Sequence, residues 1–188
     1  MALRAPFFAA AVMALSIASL HFPAPLQAQT QSKARDTKKW QTFESVQGRY
    51  KVAFPAAPEM KQGKLRTDIG MVTSTRHTAD SADATYDVTY NDYPKDGIAR
   101  LSAAKLIDAA RDGLVYQSKG TLAVEKPFTL GKLAGREHEI VGEDGMRYQI
   151  RLLLVGNRLY QLTAMARPPA RPDEQKFFSS FQLTGVTQ

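Results

Sequence analysis

The stretch that decides the fold runs from Gly142 to Pro169 and reads GEDGMRYQIRLLLVGNRLYQLTAMARPP. Apolar side chains recur at every second position from Tyr148 to Leu154, which is the period of a β-strand with one face on a core. Gly145 and the pair Gly156–Asn157 interrupt the alternation. Glycine and asparagine tolerate the positive φ of tight hairpin turns, so the stretch predicts antiparallel strands joined by two short turns.

The preceding segment GREHEIVG, residues 135–142, extends this pattern to a meander of three strands. A three-residue loop at Glu143–Gly145 and a two-residue turn at Gly156–Asn157 fix the register. That register pairs Ile140 with Tyr148, His138 with Ile150, Glu137 with Arg151, and Leu154 with Leu159. The strand from residue 146 to 155 is expected to be central and partly covered on both faces.

Further strands are predicted in RYKVAFP (49–55), MVTSTRHT (71–78) and ATYDVTYND (84–92), with a turn at 68–70. Pro127 indicates that the strand in GTLAVEKPFTLGKLAG (120–135) is an edge strand or carries a bulge. Apolar residues at helical spacing predict the main helix over 101–117, with Ser102 as N-cap and Gly120 as the stop. A second helix is expected to begin with Pro172 as its first residue and to press three aromatic side chains onto the sheet: Phe177, Phe178 and Phe181.

The N-terminal 28 residues have the layout of a secretory signal. Arg4 precedes an apolar run of 16 residues, and Pro23 and Pro25 follow it. The run is shorter than the roughly 20 residues that a membrane-spanning helix needs, although a retained membrane anchor is the alternative. We expect cleavage after Ala28, a flexible linker over residues 29–39, and a periplasmic or secreted protein that contacts the membrane only through this signal.

Composition limits the domain count and the chemistry. Removing residues 1–28 leaves 160 residues, enough for one domain, which we place at 40–185. The chain has no cysteine, which excludes disulfides, thiolate metal sites and cysteine nucleophiles. Loss of Arg4 leaves 24 basic and 18 acidic residues, a net charge of +6. That charge favours an anionic envelope component or an acidic protein as partner, or reflects only a solvated basic surface. Nucleic acid is not expected for an exported protein, and the oligomeric state is left open.

The order of elements resembles PsbP/Mog1-like proteins and exported bacterial proteins of unknown function. The first resemblance rests on GNRLYQLTAMARPPARPDEQKFFSSFQL, whose matching residues are Gly156, Tyr160, Leu162, Ser180 and Phe181. The second rests on a helix followed by GKLAGREHEI, whose matching residues are Gly131, Gly135, Arg136 and Glu137, with one extra residue in the spacing. The resemblance covers about 40–183 and implies an α+β fold, with an antiparallel sheet flanked by helices in an α/β/α sandwich. It also implies a non-catalytic accessory or binding protein.

Motifs for catalysis are missing from the sequence. It contains no G-x-S-x-G elbow, no P-loop, no G-x-G-x-x-G and no H-E-x-x-H, so no cofactor is expected. Beyond the signal the histidines are His77, expected to be exposed, and His138, expected to be hydrogen-bonded in the core. Paired acids at 80/83, 92/96 and 143/144 fall in turn-like segments, where acids are usually solvated.

Two surfaces remain as candidates for function. An enzyme of hydrolase type would need a dispersed site around Glu137, His138 and Glu139, yet in a strand His138 points away from both acids. On the face opposite Tyr148, Arg147 and Arg151 stand four residues apart on one strand and Arg158 opens the next strand, so these three are candidate anion contacts. Cross-strand pairing with Glu137 and Glu139 explains the same arginines without a ligand. We therefore expect an exported, non-enzymatic binding or accessory protein, with the enzyme as alternative.

Overall fold

The computed structural model describes residues 40–185. The predicted signal at 1–28 and linker at 29–39 lie outside the described residues, and the boundaries drawn from them stay predictions. Ten strands and three helices follow in the order β1 (Gln41–Ser45), β2 (Tyr50–Phe54), β3 (Glu59–Thr67), β4 (Gly70–Asp80), β5 (Thr85–Asp92), α1 (Lys95–Ile98), α2 (Ala103–Ser118), β6 (Thr121–Leu130), β7 (Leu133–Val141), β8 (Arg147–Val155), β9 (Arg158–Ala166), α3 (Glu174–Ser180) and β10 (Gln182–Leu183). Within these residues no helix combines the length and the apolar character needed to cross a membrane.

A seven-stranded antiparallel sheet in the order β3-β4-β5-β9-β8-β7-β6 organises the described part of the chain. The predicted meander is confirmed: His138 pairs with Ile150, Glu137 with Arg151, and Leu154 with Leu159. Gly145 and Gly156 have φ angles of 79° and 60°, which is why both turns need glycine. The second strand of the meander lies inside the sheet, as expected from its apolar residues on both faces.

One face of the large sheet, here called the aromatic face, carries the larger core. Tyr86, Val88 and Tyr90 project from β5 and pack against β2 and α3, which lie over them. The small sheet β1-β2-β10 completes this covering layer. Phe177, Phe178 and Phe181 are buried there, as predicted from the spacing of the aromatic residues. Burial of this many aromatic rings supplies much of the hydrophobic stabilisation of a protein without disulfides.

The opposite face, here called the helix face, is covered by α2 over β7 and β8. Leu106 and Ile107 of α2 pack on Ile140, Ile150 and Leu152. The fold is therefore α+β and built on an antiparallel sheet, as expected. The sandwich with helices on both faces holds in part, because a three-stranded sheet shares the aromatic side with α3.

Both helix starts are set by side-chain caps. The Ser102 hydroxyl accepts from the Lys105 amide, which confirms the predicted N-cap of α2. The Asp173 carboxylate accepts from the Lys176 amide and caps α3, so the prediction of Pro172 as its first residue is wrong. An acidic N-cap satisfies a free amide that proline at that position does not. At the other end of α2 the left-handed residue is Lys119, at φ 47°, one position before the expected Gly120.

The two edges of the large sheet differ. β6 is an edge strand with a register shift between Leu122 and Val124, in agreement with the expectation drawn from Pro127, which pairs with Arg136. At the other edge, β3 is exposed along eight of its nine residues. The lysines at 61 and 64 and the arginine at 66 supply the charge that protects such an edge from pairing with other chains.

Candidate binding pocket

The three arginines predicted as anion contacts project from the aromatic face, and each contacts a carboxylate. Arg147 Nη1 lies 3.1 Å from Glu139 Oε1, and Arg151 Nε lies 2.8 Å from Glu137 Oε2. The Arg151 guanidinium also stacks between the rings of Phe128 and Phe178, at 5.1 and 4.6 Å from their centres. These contacts match the cross-strand pairing foreseen from the register. Their role as anion contacts stays a prediction.

Arg158 has the most complete set of protein contacts of the three. Its guanidinium donates to both oxygens of Asp92, at 2.6 and 2.8 Å, and to the carbonyl oxygen of Gln47. It also lies 4.4 Å from the centre of the Tyr90 ring. The hydrogen bond to Asp92 raises the pKa of Arg158 further above its usual range. The acid at 92 therefore has a structural ion-pair role that the turn-like sequence around it did not indicate.

The residues of the alternative enzyme site are not brought together. Glu137 and Glu139 lie on the aromatic face, whereas His138 points to the helix face and is 1% exposed. The nearest carboxylate to His138 is that of Glu125, with 3.7 Å between Nε2 and Oε2, which is too long for a hydrogen bond. Both ring nitrogens lack a partner within residues 40–185, and burial lowers the pKa of His138. The imidazole lies in the core as expected, but the hydrogen bond expected for it is missing among the described residues.

His77 contradicts its predicted exposure. It is 5% exposed, and its Nδ1 lies 2.7 Å from the buried Tyr50 hydroxyl. The prediction took the Thr-rich strand to end near residue 77, but β4 continues to Asp80 and is covered on this side by β2. Phe43 and Tyr90 complete the surroundings of the imidazole. Burial lowers its pKa as well.

A pocket of about 210 Å³ opens on the helix face, beside the C-terminal half of α2. α2 contacts β7 and β8, and the pocket is lined by residues of α2 together with residues of β4, β5, β7, β8 and β9. The apolar part of its lining consists of Leu114, Ile140, Tyr148, Ile150 and Met165. The polar part consists of Arg76, Asp87, Gln117, Ser118, Gln161 and Thr163.

The floor of the pocket is a grid of polar side chains on two neighbouring strands, β5 and β9. The register pairs Asp87 with Thr163 across β5 and β9, and Thr89 with Gln161 one row further along. All four side chains are buried. Gln161 Nε2 donates to Thr163 Oγ1 at 3.2 Å, which orders the β9 side of the grid. A buried polar grid beneath an open pocket offers fixed hydrogen-bonding groups to a ligand.

Asp87 is the most unusual group of this floor because its carboxylate is 1% exposed. It accepts one side-chain hydrogen bond, from Thr89 Oγ1 at 3.2 Å. Arg76 Nε is 3.7 Å from Oδ1, so the two groups attract each other without forming a hydrogen bond. Burial raises the pKa of Asp87 to about 6, against the opposing effects of Arg76 and Thr89. A carboxylate with spare acceptor capacity and a raised pKa in a pocket is a typical feature of functional sites.

The sequence analysis assigned no role to Asp87 and did not predict the pocket. The signal was present, since aspartate is depleted in strand interiors and here stands between Tyr86 and Val88. What the sequence did not contain is the pairing of β5 with β9, a strand more than sixty residues away. That pairing turns a polar strand face into the floor of a pocket.

The acids and histidines of residues 40–185 form no cluster that could hold a metal ion. The pocket therefore offers one carboxylate, one guanidinium, amides and hydroxyls, which bind organic ligands by hydrogen bonds and charge. The pocket has no serine aligned with a histidine and an acid. His138 does not line it and is buried beside Glu125.

The fold and this pocket define a class of protein: a PsbP-like domain with a polar pocket between its helix and its sheet. The structure is similar to the solution structure of PsbP (CyanoP) from the cyanobacterium Synechocystis sp. PCC 6803, with a TM-score of 0.52 and 13% sequence identity. The match covers 78% of this chain and 93% of that one. At this identity the likeness establishes the PsbP-like fold and nothing about function.

A protein of unknown function from Pseudomonas aeruginosa matches with a TM-score of 0.36 and 10% identity, over 69% of this chain and 83% of that one. No protein-family model and no curated protein matches the sequence. The PsbP-like fold that the resemblance implied is thus confirmed by structure alone.

Proposed function

We propose that this chain is an exported, non-catalytic binding protein of the cell envelope and that the helix-face pocket is its ligand site. The observation that carries the proposal is Asp87, a charged side chain that lines an open pocket although it is 1% exposed. Keeping a carboxylate in such a place costs stability, and a gain in binding is the usual reason for that cost.

The size and lining of the pocket restrict the ligand. Pockets for drug-sized ligands have roughly 300–1,000 Å³, so a pocket of about 210 Å³ suits a smaller molecule. Apolar walls with a few fixed polar groups suit a ligand that is partly apolar and carries hydrogen-bonding groups at one end. No residue of the pocket supplies an evident nucleophile with its base, which favours binding over turnover.

The binding proposal is tested by screening small metabolites for a shift in melting temperature and comparing two variants. Gln117→Trp places an indole over the pocket from an exposed position of α2. Tyr116→Trp makes a similar change at the neighbouring position, where the side chain is 84% exposed and lines no part of this pocket. We expect compounds that stabilise the wild type and Tyr116→Trp but not Gln117→Trp, and that are recovered unchanged. Chemical conversion of the compound, or equal shifts in both variants, would contradict the proposal.

Export is supported by the charge, apolar run and small residue of the first 28 positions. Expression of the full chain in a Gram-negative host is expected to give a periplasmic product whose N-terminal residue is Gln29. Ala28→Arg removes the small residue at the cleavage site and is expected to leave the precursor uncut. A wild-type product that keeps Met1 would favour the retained anchor. An anionic envelope component or a protein partner bound outside the pocket remains part of the proposal.

A further inference from the structure

Two groups of opposite charge stand side by side in the pocket with unused hydrogen-bonding capacity. Arg76 Nε donates to Thr89 Oγ1 at 3.1 Å, and within residues 40–185 neither Nη1 nor Nη2 has a hydrogen-bond acceptor. Asp87 accepts from Thr89 alone among the described side chains. Arg76 Nε and Asp87 Oδ1 are 3.7 Å apart, so their charges attract each other but they form no hydrogen bond. Both groups are thus available to a third partner.

The charges on either side of this pair are ordered along the sheet. Lys61 on β3 is the cross-strand neighbour of Arg76, points to the same face and has no ion-pair partner within residues 40–185. Thr163 on β9 is the cross-strand neighbour of Asp87. Arg76 and Lys61 therefore lie on the β3 side of Asp87, with Glu59 two residues from Lys61 on the same face, and the Thr163 hydroxyl lies on the β9 side. A ligand that bridges them needs a negative end and a positive end a short distance apart.

A ligand with a single charge does not meet this requirement. An amine that reaches Asp87 also faces the Arg76 guanidinium, and a carboxylate that reaches Arg76 faces Asp87. In each case the like charge opposes binding in a poorly solvated place. In an α-amino acid the ammonium and the carboxylate are attached to one carbon, so each charge can meet its opposite. The carboxylate can bind the guanidinium through two parallel hydrogen bonds.

The rest of the pocket specifies the side chain of the ligand. Leu114, Ile150 and Met165 line the pocket and are aliphatic or a thioether. With about 210 Å³ available, an aliphatic side chain fits better than an extended polar one. Burial of several methyl groups against these walls adds the hydrophobic part of the affinity.

We propose that the helix-face pocket binds a free α-amino acid with an aliphatic side chain. Its ammonium contacts Asp87 and Thr163, its carboxylate contacts Arg76, and its side chain lies against Leu114, Ile150 and Met165. This inference rests on the proposed function, since it names the ligand class of the same site.

The experiment compares leucine with its two single-charge analogues by calorimetry on the mature protein. 4-Methylpentanoate lacks the ammonium, and 3-methylbutylamine lacks the carboxylate. We expect leucine to bind at least about tenfold more tightly than either analogue, because each lost charge-assisted contact is typically worth that much. Asp87→Asn and Arg76→Gln are each expected to weaken leucine by about tenfold or more. Lys64→Gln, on the opposite face of the sheet, serves as the matched control and is expected to leave the affinity unchanged.

Two results would overturn the inference. The first is leucine binding no more tightly than its analogues, and the second is leucine binding that Asp87→Asn leaves unchanged. If neutral compounds bind and Gln117→Trp abolishes their binding, the pocket is a ligand site and only the amino-acid assignment fails. If no small molecule binds to the wild type, the proposed function fails as well.

Discussion

Arg76 Nε and Asp87 Oδ1 are 3.7 Å apart, and their side chains are 50% and 1% exposed. The cation is therefore at the surface and the anion below it, so the pair is not equally solvated. Solvent weakens the attraction that Arg76 exerts, while burial penalises the charge on Asp87 in full. This imbalance is the physical reason why the pKa of Asp87 is raised although an arginine stands next to it.

Replacement of Asp87 by asparagine is expected to stabilise the protein at neutral pH. The variant keeps the shape and the Thr89 contact but removes the buried charge. A pKa of about 6 in the folded state, against an ordinary value of 3.8, corresponds to a cost of about 3 kcal/mol at pH above 7. We expect Asp87→Asn to raise the free energy of unfolding in urea by about 1–3 kcal/mol at neutral pH.

The pH dependence of the stability gained by Asp87→Asn follows from the upward shift of the Asp87 pKa. Between about pH 4 and pH 6 the folded state binds more protons at Asp87 than the unfolded chain does, so wild-type stability falls as the pH rises. The advantage of Asp87→Asn should therefore shrink toward zero near pH 4. Asp83→Asn, at an exposed acid in the loop before β5, is the control and is expected to change little. An advantage for Asp87→Asn that is independent of pH would contradict the account.

Leucine substitutions at the two buried histidines are expected to have different effects on the free energy of unfolding. His77 accepts or donates the hydrogen bond to the Tyr50 hydroxyl, so His77→Leu leaves that buried hydroxyl without a partner and costs about 1–3 kcal/mol. His138 has no such bond within residues 40–185, so His138→Leu should be neutral or stabilising at neutral pH. Urea denaturation of both variants measures the difference. Equal losses would show that the His138 nitrogens have partners after all.

Acid should separate His138→Leu further from the wild type. Burial lowers the pKa of His138, so in mildly acidic solution the unfolded chain takes up a proton there that the folded state does not. Wild-type stability from this group is present at neutral pH and is lost as the pH falls through the ordinary histidine value of about 6.5. The relative stability of His138→Leu should therefore increase as the pH falls from about 7.5 to 5.5. A constant difference over that range would exclude a neutral, buried imidazole.

Arg147 and Arg151 lie on the same face of β8, but their surroundings differ. Arg151 is 29% exposed, stacks on two phenylalanine rings and binds Glu137, whereas Arg147 is 55% exposed and binds Glu139 alone. Arg151→Ala is expected to lower the free energy of unfolding by about 2 kcal/mol. Arg147→Ala should cost at most about 1 kcal/mol. If both variants lose the same small amount of unfolding free energy, Arg151 is not held by its neighbours and is available to contact an anion.

The local sequence pattern predicted the meander and its register because residues close in sequence determine both its turns and the faces of its strands. Gly145 and Gly156 set the turns, and the alternation around Tyr148 sets the faces. The start of α3 was misplaced by two residues, at Pro172 instead of Glu174, because both Pro172 and Asp173 are good residues near a helix start, and only the backbone conformation decides between them. Such choices depend on the incoming chain, which the sequence does not describe.

The pocket could not be predicted from the sequence, for a different reason. Its floor needs β5 beside β9 and its wall needs α2 packed against β7 and β8, and both are long-range outcomes. Asp87 and Arg151 looked alike as charged residues in strands, yet one is a buried acid below a pocket and the other an arginine held between two rings. Long-range strand order, rather than residue type, separates the two cases.

The most direct measurement is the titration of the Asp87 carboxyl carbon by NMR in the unliganded protein, with Asp87→Asn used to assign the signal. If this carboxylate is desolvated and only partly bonded, its midpoint should lie near pH 6, about two units above the ordinary aspartate value of 3.8. A midpoint at or below about pH 4 would mean that Arg76 or solvent already satisfies the charge. In that case Asp87 would be an ordinary structural acid, and the case for a ligand site in this pocket would be lost.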